Sequence, residues 1–146
     1  MDEDSFVKWL IIHDLLNTND PWGSNMFVVY DGTTDKFRMG PTWDYDNCYI
    51  DADTFALINN ANFFLVKYLN AYDSFRTRYK EIFKSLTIDL YENIYNAINE
   101  PMISNYDTLI IYDSARWIMH TYTYENRVTE IEDLFAKRIE WIGNNI

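Results

Sequence analysis

The sequence is poor in residues that crosslink, break or loosen a chain. It contains one cysteine, Cys48, so no disulfide can form within it, and cysteine usage does not indicate a compartment. Its 146 residues include only 4 Gly and 3 Pro, which leaves little material for flexible linkers. We therefore expect residues 1–146 to form a single domain.

Basic charge and long apolar runs are also scarce. Lys and Arg number 12 against 23 Asp and Glu, which gives a formal net charge of -11. A field of this sign repels nucleic acid and anionic lipid, so nucleic acid is excluded as a partner. No apolar run approaches the roughly 18 residues of a membrane span, and residues 1–5 lack a basic signal-peptide start. We expect neither membrane insertion nor a signal peptide in this chain.

Apolar and aromatic residues, in contrast, are plentiful. Hydrophobic residues make up 48% of the chain and aromatics 18%, enough for a sizeable core. The wide apolar surface of residues 4–16 predicts a buried, central helix with Asp4 or Ser5 as its N-cap. Residues 25–31 and 36–40 read as two strands around the turn sequence GTTD, which predicts a β-hairpin.

The rest of the chain has helical periodicity after an irregular acidic stretch. The predicted helices cover residues 61–71, 74–86, 89–103, 106–122 and 125–145. Pro101 is expected to end or kink the third of them. The predicted fold class is α+β, mostly α, with one buried helix, a small β-hairpin and four to five further helices.

Two acidic turns flank the predicted hairpin, NDPWGSN and TWDYDN. Protein kinases use a D-x-x-x-x-N loop, in which the Asp accepts or orients the hydroxyl proton and the Asn binds magnesium. Asp20 and Asn25 have this spacing, and Asp44 follows the hairpin as the kinase metal-binding Asp does. Asp14 and Asn19 share the spacing, but Asp14 lies inside the predicted helix. The order of helix, Asp loop, hairpin and Asp therefore indicates more than the spacing alone.

Several longer stretches resemble the CotH-type spore-coat protein kinase family. They are the Ser-Phe-led helix DSFVKWLIIHDLL, the loop NTND, the hairpin SNMFVVYD with KFRMG, and the P-x-W-D-x-D motif PTWDYD. SFRTRYKEIF, SARW and FAKRIEWI are similar to the family's C-terminal helices, so the resemblance covers nearly the whole chain. The kinase His-Arg and Asp-Phe-Gly sequences are replaced here by Thr18-Asn19 and Asp44-Tyr45-Asp46.

The resemblance implies an atypical protein kinase that uses ATP and a divalent metal, Mg or Mn. Its protein substrate would be phosphorylated on Ser in a spore coat or on a cell surface, which implies an extracellular, surface or spore-coat location. The chain would be a kinase-like C-terminal lobe without the N-terminal nucleotide lobe, because no Gly-rich loop or strand Lys precedes the first helix. By resemblance, Asp20 is the catalytic Asp, and Asn25 is both the catalytic-loop Asn and a metal ligand. Asp44 matches the metal-binding Asp, and Asp46 is the second acid of the same motif, with its role left open.

Two other functions remain open for the same residues. Without its nucleotide lobe, the fold could be a non-catalytic interaction or structural module of a surface or spore-coat protein. It could also be a plain metal-binding domain, although the acids of residues 44–53 lack the D-x-D-x-D-G-x5-E calcium pattern. Asp20 before Pro21 is also typical of an Asx turn.

The other polar or aromatic residues that attract notice have structural interpretations. His13 and His120 have no second His at ligand spacing, so we interpret them as core or surface histidines. Arg116 and Arg138 lie among apolar helical residues and are expected to pair with acids of other helices. Trp22 either lines a substrate or nucleotide pocket or packs against the hairpin.

Overall fold

The computed structural model describes residues 1–18, 21, 23–45, 64–98, 108, 111–112, 115–116 and 124–146. The helices are α1 (Glu3–Leu15), α2 (Phe64–Asn70), α3 (Asp73–Ile98) and α4 (Tyr124–Asn145), and the strands are β1 (Val28–Asp31) and β2 (Lys36–Met39). The predicted fold class, α+β and mostly α, is confirmed. In the described part of the chain, no helix combines the length and apolar character needed to cross a membrane.

The predicted helix boundaries after the hairpin need one correction. The chain stays helical through residues 87–88, so the two helices predicted over 74–86 and 89–103 are one helix as far as Ile98. The residues at 87–88, Thr and Ile, have only modest helix propensity, and helix interiors tolerate them. Pro101 lies outside the described residues, and the predicted helix 106–122 is described only at isolated positions, all of them helical.

Helix α1 is central, as its sequence predicted. Its buried apolar side chains are Phe6, Val7, Trp9, Leu10, Ile11 and Leu15. The helix contacts β2, α3 and α4. Because it meets partners on several sides, α1 has no wide polar face, and even the polar residues of its last turn, His13 and Asp14, are buried.

The start of α1 is joined to the hairpin by hydrogen bonds. The N-cap is Asp2, not Asp4 or Ser5, and its side chain accepts a bond from the Ser5 amide. The Ser5 hydroxyl instead donates to the Asp2 carbonyl (2.8 Å) and accepts from the Met39 amide of β2 (3.0 Å). The Asp2 amide donates to the Phe37 carbonyl at 2.7 Å. These bonds occupy the outer edge of β2, so the helix start and the hairpin form one unit.

The two strands pair antiparallel, with Val28 opposite Met39. The first strand begins at Val28, not at Asn25 as predicted, because Asn25 ends a short 3-10 turn formed by Gly23–Asn25. At the open end of the hairpin, the Gly40 amide donates to the Phe27 carbonyl at 2.7 Å. A Cβ atom on Gly40 would lie 2.9 Å from the Phe27 Cβ, so only glycine fits this approach.

A buried polar network joins α1 to α3 and α4. The Tyr79 hydroxyl donates to Asp14 Oδ2 at 2.9 Å, and Arg138 Nε donates to the Asp14 main-chain carbonyl at 2.6 Å. Asp14, Tyr79 and Arg138 are each no more than 1% exposed. Burial raises the pKa of Tyr79 well above its usual value, and the Asp14 charge adds to this rise. Arg138 thus joins α4 to α1 through the main chain of an acidic residue, and its predicted pairing with a carboxylate stays a prediction, as does that of the exposed Arg116.

Removing the positive charge from this network should destabilise the protein. We expect Arg138→Met to lower the free energy of unfolding by about 1–3 kcal/mol, because the buried Asp14 main-chain carbonyl then loses a charged hydrogen-bond donor. Tyr79→Phe should cost about 1–3 kcal/mol, because it removes one buried hydrogen bond. The matched control is Lys137→Met, since Lys137 is exposed on the same helix and pairs with the exposed Asp133. Urea denaturation measures all three, and a similar loss for Arg138→Met and Lys137→Met would contradict the expectation.

Adding a methyl group at Gly40 should also destabilise the protein. Gly40→Ala forces the Phe27 backbone away, and we expect a loss of about 1–3 kcal/mol in the free energy of unfolding. Gly32→Ala is the control, because a Cβ at Gly32 would meet only the Tyr30 ring at 3.8 Å. Thermal unfolding of both variants checks this, and equal melting temperatures would refute a close-approach role for Gly40.

Candidate functional site

The loop that carries the predicted catalytic Asp leaves α1 through a left-handed turn. Asn17 has a φ of 47°, the Thr18 amide donates to the His13 carbonyl (3.2 Å), and the Asn17 amide donates to the Asp14 carbonyl (3.3 Å). These two bonds form a Schellman motif, which satisfies the last carbonyls of the helix and sets the direction of the following chain. Asp20 itself lies outside the described residues, as does Trp22. The role of Asp20 therefore stays a prediction.

His13 lies at the root of this loop and is 1% exposed. Its Nδ1 lies 3.1 Å from the Thr18 hydroxyl, and its ring centroid lies 4.4 Å from that of Trp9. Burial lowers the pKa of His13 to about 4, so the ring is neutral at pH 7. Its Nε2 is buried and has no hydrogen-bond partner among the residues that the structure describes. The predicted core histidine is confirmed, but the sequence did not show this unpaired nitrogen.

Asn25 is held at the end of the 3-10 turn and is 6% exposed. The Ser24 hydroxyl donates to Asn25 Oδ1 at 3.4 Å, a long and weak bond. The side-chain oxygen of Asn25 is therefore placed by a short rigid turn, two residues before the Phe27 carbonyl that closes the hairpin.

Asp44 has an unusual backbone conformation between two anchored aromatic residues. Its φ is 64°, in the left-handed region, which Asp tolerates better than most residues. The Trp43 ring packs on Phe27 with centroids 5.9 Å apart, and the Tyr45 ring lies 5.5 Å from that of His13. The two rings contact different parts of the fold, and the exposed Asp44 lies between them. A left-handed non-glycine residue fixed on both sides is typical of functional sites.

The structure brings two of the four predicted site residues to the same end of the hairpin. Asn25 comes two residues before Phe27, Asp44 directly follows Trp43, and the Phe27 and Trp43 rings are in contact. Asp46 lies outside the described residues, as Asp20 does. No three His, Cys, Asp or Glu side chains form a group that could hold a metal ion among the described residues, which are 1–18, 21, 23–45, 64–98 and the helical positions beyond. The amide oxygen of Asn25 and the carboxylate of Asp44 are hard donors, which suit Mg or Mn.

Sequence reasoning missed the exposed aromatic pair beside these two residues. Phe27 is 44% exposed and Trp43 52% exposed. In the sequence, Phe27 lies within an apolar run that reads as an ordinary strand, so its exposure was not visible. Its signal is Gly40, whose lack of a side chain lets its backbone approach that of Phe27 closely.

The buried neutral His13 should make stability depend on pH. The unfolded chain takes up a proton on this residue below about pH 6.5, whereas the folded chain does so only near pH 4. Acidification through this window therefore favours unfolding, by up to about 3 kcal/mol in total. Denaturation of the wild type and His13→Gln at several pH values measures this term as the difference in slope between pH 4 and 6.5. Parallel curves for the two proteins would contradict a buried, neutral His13.

Comparison with known proteins was made at three levels. Residues 1–142 match the family model described as CotH kinase protein. No curated protein matches the chain, and no solved structure does. The matched range includes α1, the hairpin, the Asp44 segment and nearly all of α4, and it confirms the resemblance that the sequence motifs indicated. Because the match covers nearly its whole length, this chain belongs to the CotH kinase protein family.

Proposed function

We propose that the chain is the catalytic-loop and metal-site portion of an atypical CotH-type protein kinase. It would transfer the γ-phosphoryl group of ATP to a Ser hydroxyl of a spore-coat or surface protein. Membership of a kinase family implies a nucleotide, a divalent metal and a protein substrate in general terms. The observation that carries the proposal further is the contact between Phe27 and Trp43, because it brings Asn25 and Asp44 to one end of the hairpin.

Each predicted residue has a defined task in this proposal. Asp20 orients the Ser hydroxyl and accepts its proton as the Ser oxygen bonds to the γ-phosphorus and the bond to the ADP oxygen breaks. Asn25 and Asp44 supply oxygen ligands to Mg or Mn, with Asp46 as a further acid beside them. When bound, the cation neutralises charge on the phosphate oxygens. The low exposure of Asn25 and the left-handed backbone of Asp44 support a pair of ligands that are held in place before nucleotide binds.

The exposed aromatic pair gives the nucleotide a second contact. Phe27 and Trp43 are exposed and in contact, and they lie within two residues of Asn25 and Asp44 along the chain. Aromatic side chains stack on nucleobases with about 1–3 kcal/mol per base. We propose that the base of ATP stacks against this pair while its phosphates reach the metal residues. The chain as a whole carries a negative charge of -11, so the metal is needed to bring a polyphosphate to this surface.

The domain organisation and location follow from the same proposal. Residues 1–146 would be one C-terminal lobe of a kinase-like domain, and a separate nucleotide-gripping lobe would complete the site. The protein would act outside the cell, at a cell surface or in a spore coat, where its Ser-containing substrates lie.

Titration with manganese and ATP tests the metal site. We expect wild type to bind and Asp44→Asn to bind at least about tenfold more weakly, which corresponds to about 1.4 kcal/mol. Asn also tolerates a positive φ, so this variant removes the charge without disturbing the turn. Asp89→Asn is the control, because Asp89 is an exposed acid on α3 and its loss changes the net charge equally. Equal affinity of the two variants in isothermal calorimetry would refute the role of Asp44.

A non-catalytic interaction module is the second candidate function. The far end of the hairpin exposes Tyr30 (54%) and Phe37 (56%), whose ring centroids are 5.4 Å apart. Exposed apolar patches of this kind mark interaction sites. If a coat or surface protein still binds after Asp20 and Asp44 are both changed to Ala, and no phosphate transfer is found in the longer protein, this candidate replaces the first.

A further inference from the structure

Two segments that carry predicted site residues meet at one buried side chain, His13. From one side, Thr18 places its hydroxyl 3.1 Å from His13 Nδ1, just before the loop of Asp20. From the other side, the half-buried Tyr45 places its ring 5.5 Å from the His13 ring, directly after Asp44. His13 is thus in contact with both segments while it is itself part of the rigid helix α1.

The hydrogen bonds of Thr18 define the protonation of the ring. A threonine hydroxyl has one proton, and the Thr18 hydroxyl donates it to the His13 main-chain carbonyl at 3.3 Å. With its proton on the carbonyl, the hydroxyl oxygen accepts from the ring, so we expect the proton of the neutral imidazole on Nδ1. Nε2 is left as an acceptor, buried and without a partner in the described part of the chain. A buried polar atom of this kind costs free energy, which an apolar side chain would avoid.

Packing alone does not explain this choice of residue. A phenylalanine would fill a similar volume against Trp9 and Tyr45 without a buried nitrogen. The imidazole provides what phenylalanine cannot, namely a ring whose rotation is fixed by a hydrogen bond to Thr18. With its rotation fixed, the ring presents one defined surface to Tyr45, which lies next to Asp44.

We infer that His13 is a positioning residue, which holds the segment of Asp44 in register with the loop of Asp20 through the Thr18 hydroxyl and the Tyr45 ring. This inference deepens the proposed function and, for its effect on the reaction, rests on it. The hydrogen bond fixes the orientation of the ring, and the ring fixes the position of Tyr45. A neighbouring aromatic residue held in place limits the freedom of the left-handed Asp44 backbone.

The first experiment needs no nucleotide and uses the whole chain. Thr18→Val removes the hydroxyl at nearly constant volume, and Thr18→Ser keeps it as the matched control. We expect nitrogen NMR to show the Nδ1 proton on His13 in the wild type and in Thr18→Ser, and a shift to the Nε2 tautomer in Thr18→Val. Amide hydrogen exchange at residues 43–45 should rise by about tenfold in Thr18→Val and stay near the wild-type rate in Thr18→Ser.

Two results would overturn the inference. The first is a change of exchange confined to residues 17–18, because then the ring does not transmit the constraint to Tyr45. The second is an equal rise across α1, α3 and α4, because that is the pattern of a general loss of stability. His13→Phe provides a second variant if Thr18→Val does not fold, and it should loosen the same residues although it keeps the aromatic contacts.

The second experiment separates this inference from the proposed function. Calorimetry with manganese and ATP should show about tenfold weaker binding by Thr18→Val, with Thr18→Ser within about twofold of wild type. If wild type binds and both variants bind equally, His13 has no positioning role at the site. If wild type itself does not bind, the proposed function fails for this chain, and the exchange experiment alone decides whether His13 couples the two segments.

Discussion

The buried carboxylate of Asp14 is the constraint on which the rest of the structure depends. A carboxylate taken out of water needs a hydrogen-bond donor, and Tyr79 of α3 supplies one, while Arg138 of α4 donates to the main-chain carbonyl of the same residue. Apolar packing alone would let α3 and α4 slide or rotate on α1 at modest cost. Hydrogen bonds of 2.9 and 2.6 Å from α3 and α4 to Asp14 oppose such sliding or rotation, so the three helices have one arrangement.

The same helical turn serves the candidate site. His13 and Asp14 are adjacent, and their side chains leave the helix in different directions, one toward Thr18 of the loop and one toward Tyr79 of α3. The helix then ends within one turn, at the left-handed Asn17. The network around Asp14 therefore fixes the helix end from which the catalytic loop is expected to start. A core substitution that disturbs this network would therefore also change the geometry of the site, because both depend on the same helical turn.

The sequence predicted the elements better than their connections. Periodicity identified α1 and the hairpin, because a helix buried on several sides and a pair of strands both leave a pattern among residues that are neighbours in the sequence. The N-cap was wrong because Ser5 binds a β2 amide distant in the chain, and no local pattern reports such a bond. Motif order predicted Asn25 and Asp44 as site residues, whereas it did not indicate Phe27 or His13, since exposure and an unpaired nitrogen exist only in the fold. Nothing in the sequence spacing specifies the tautomer of a ring.

The bonds from Asp2 and Ser5 to β2 also bear on how copies of this chain can associate. A two-stranded ribbon in isolation has two open edges, and strands added to both could grow without limit. Here the start of α1 occupies the edge of β2, and in the described part of the chain β1 has no neighbour besides β2. The helix start therefore blocks strand addition at the β2 edge, so a continuous fibre cannot grow through this hairpin by pairing at both of its edges.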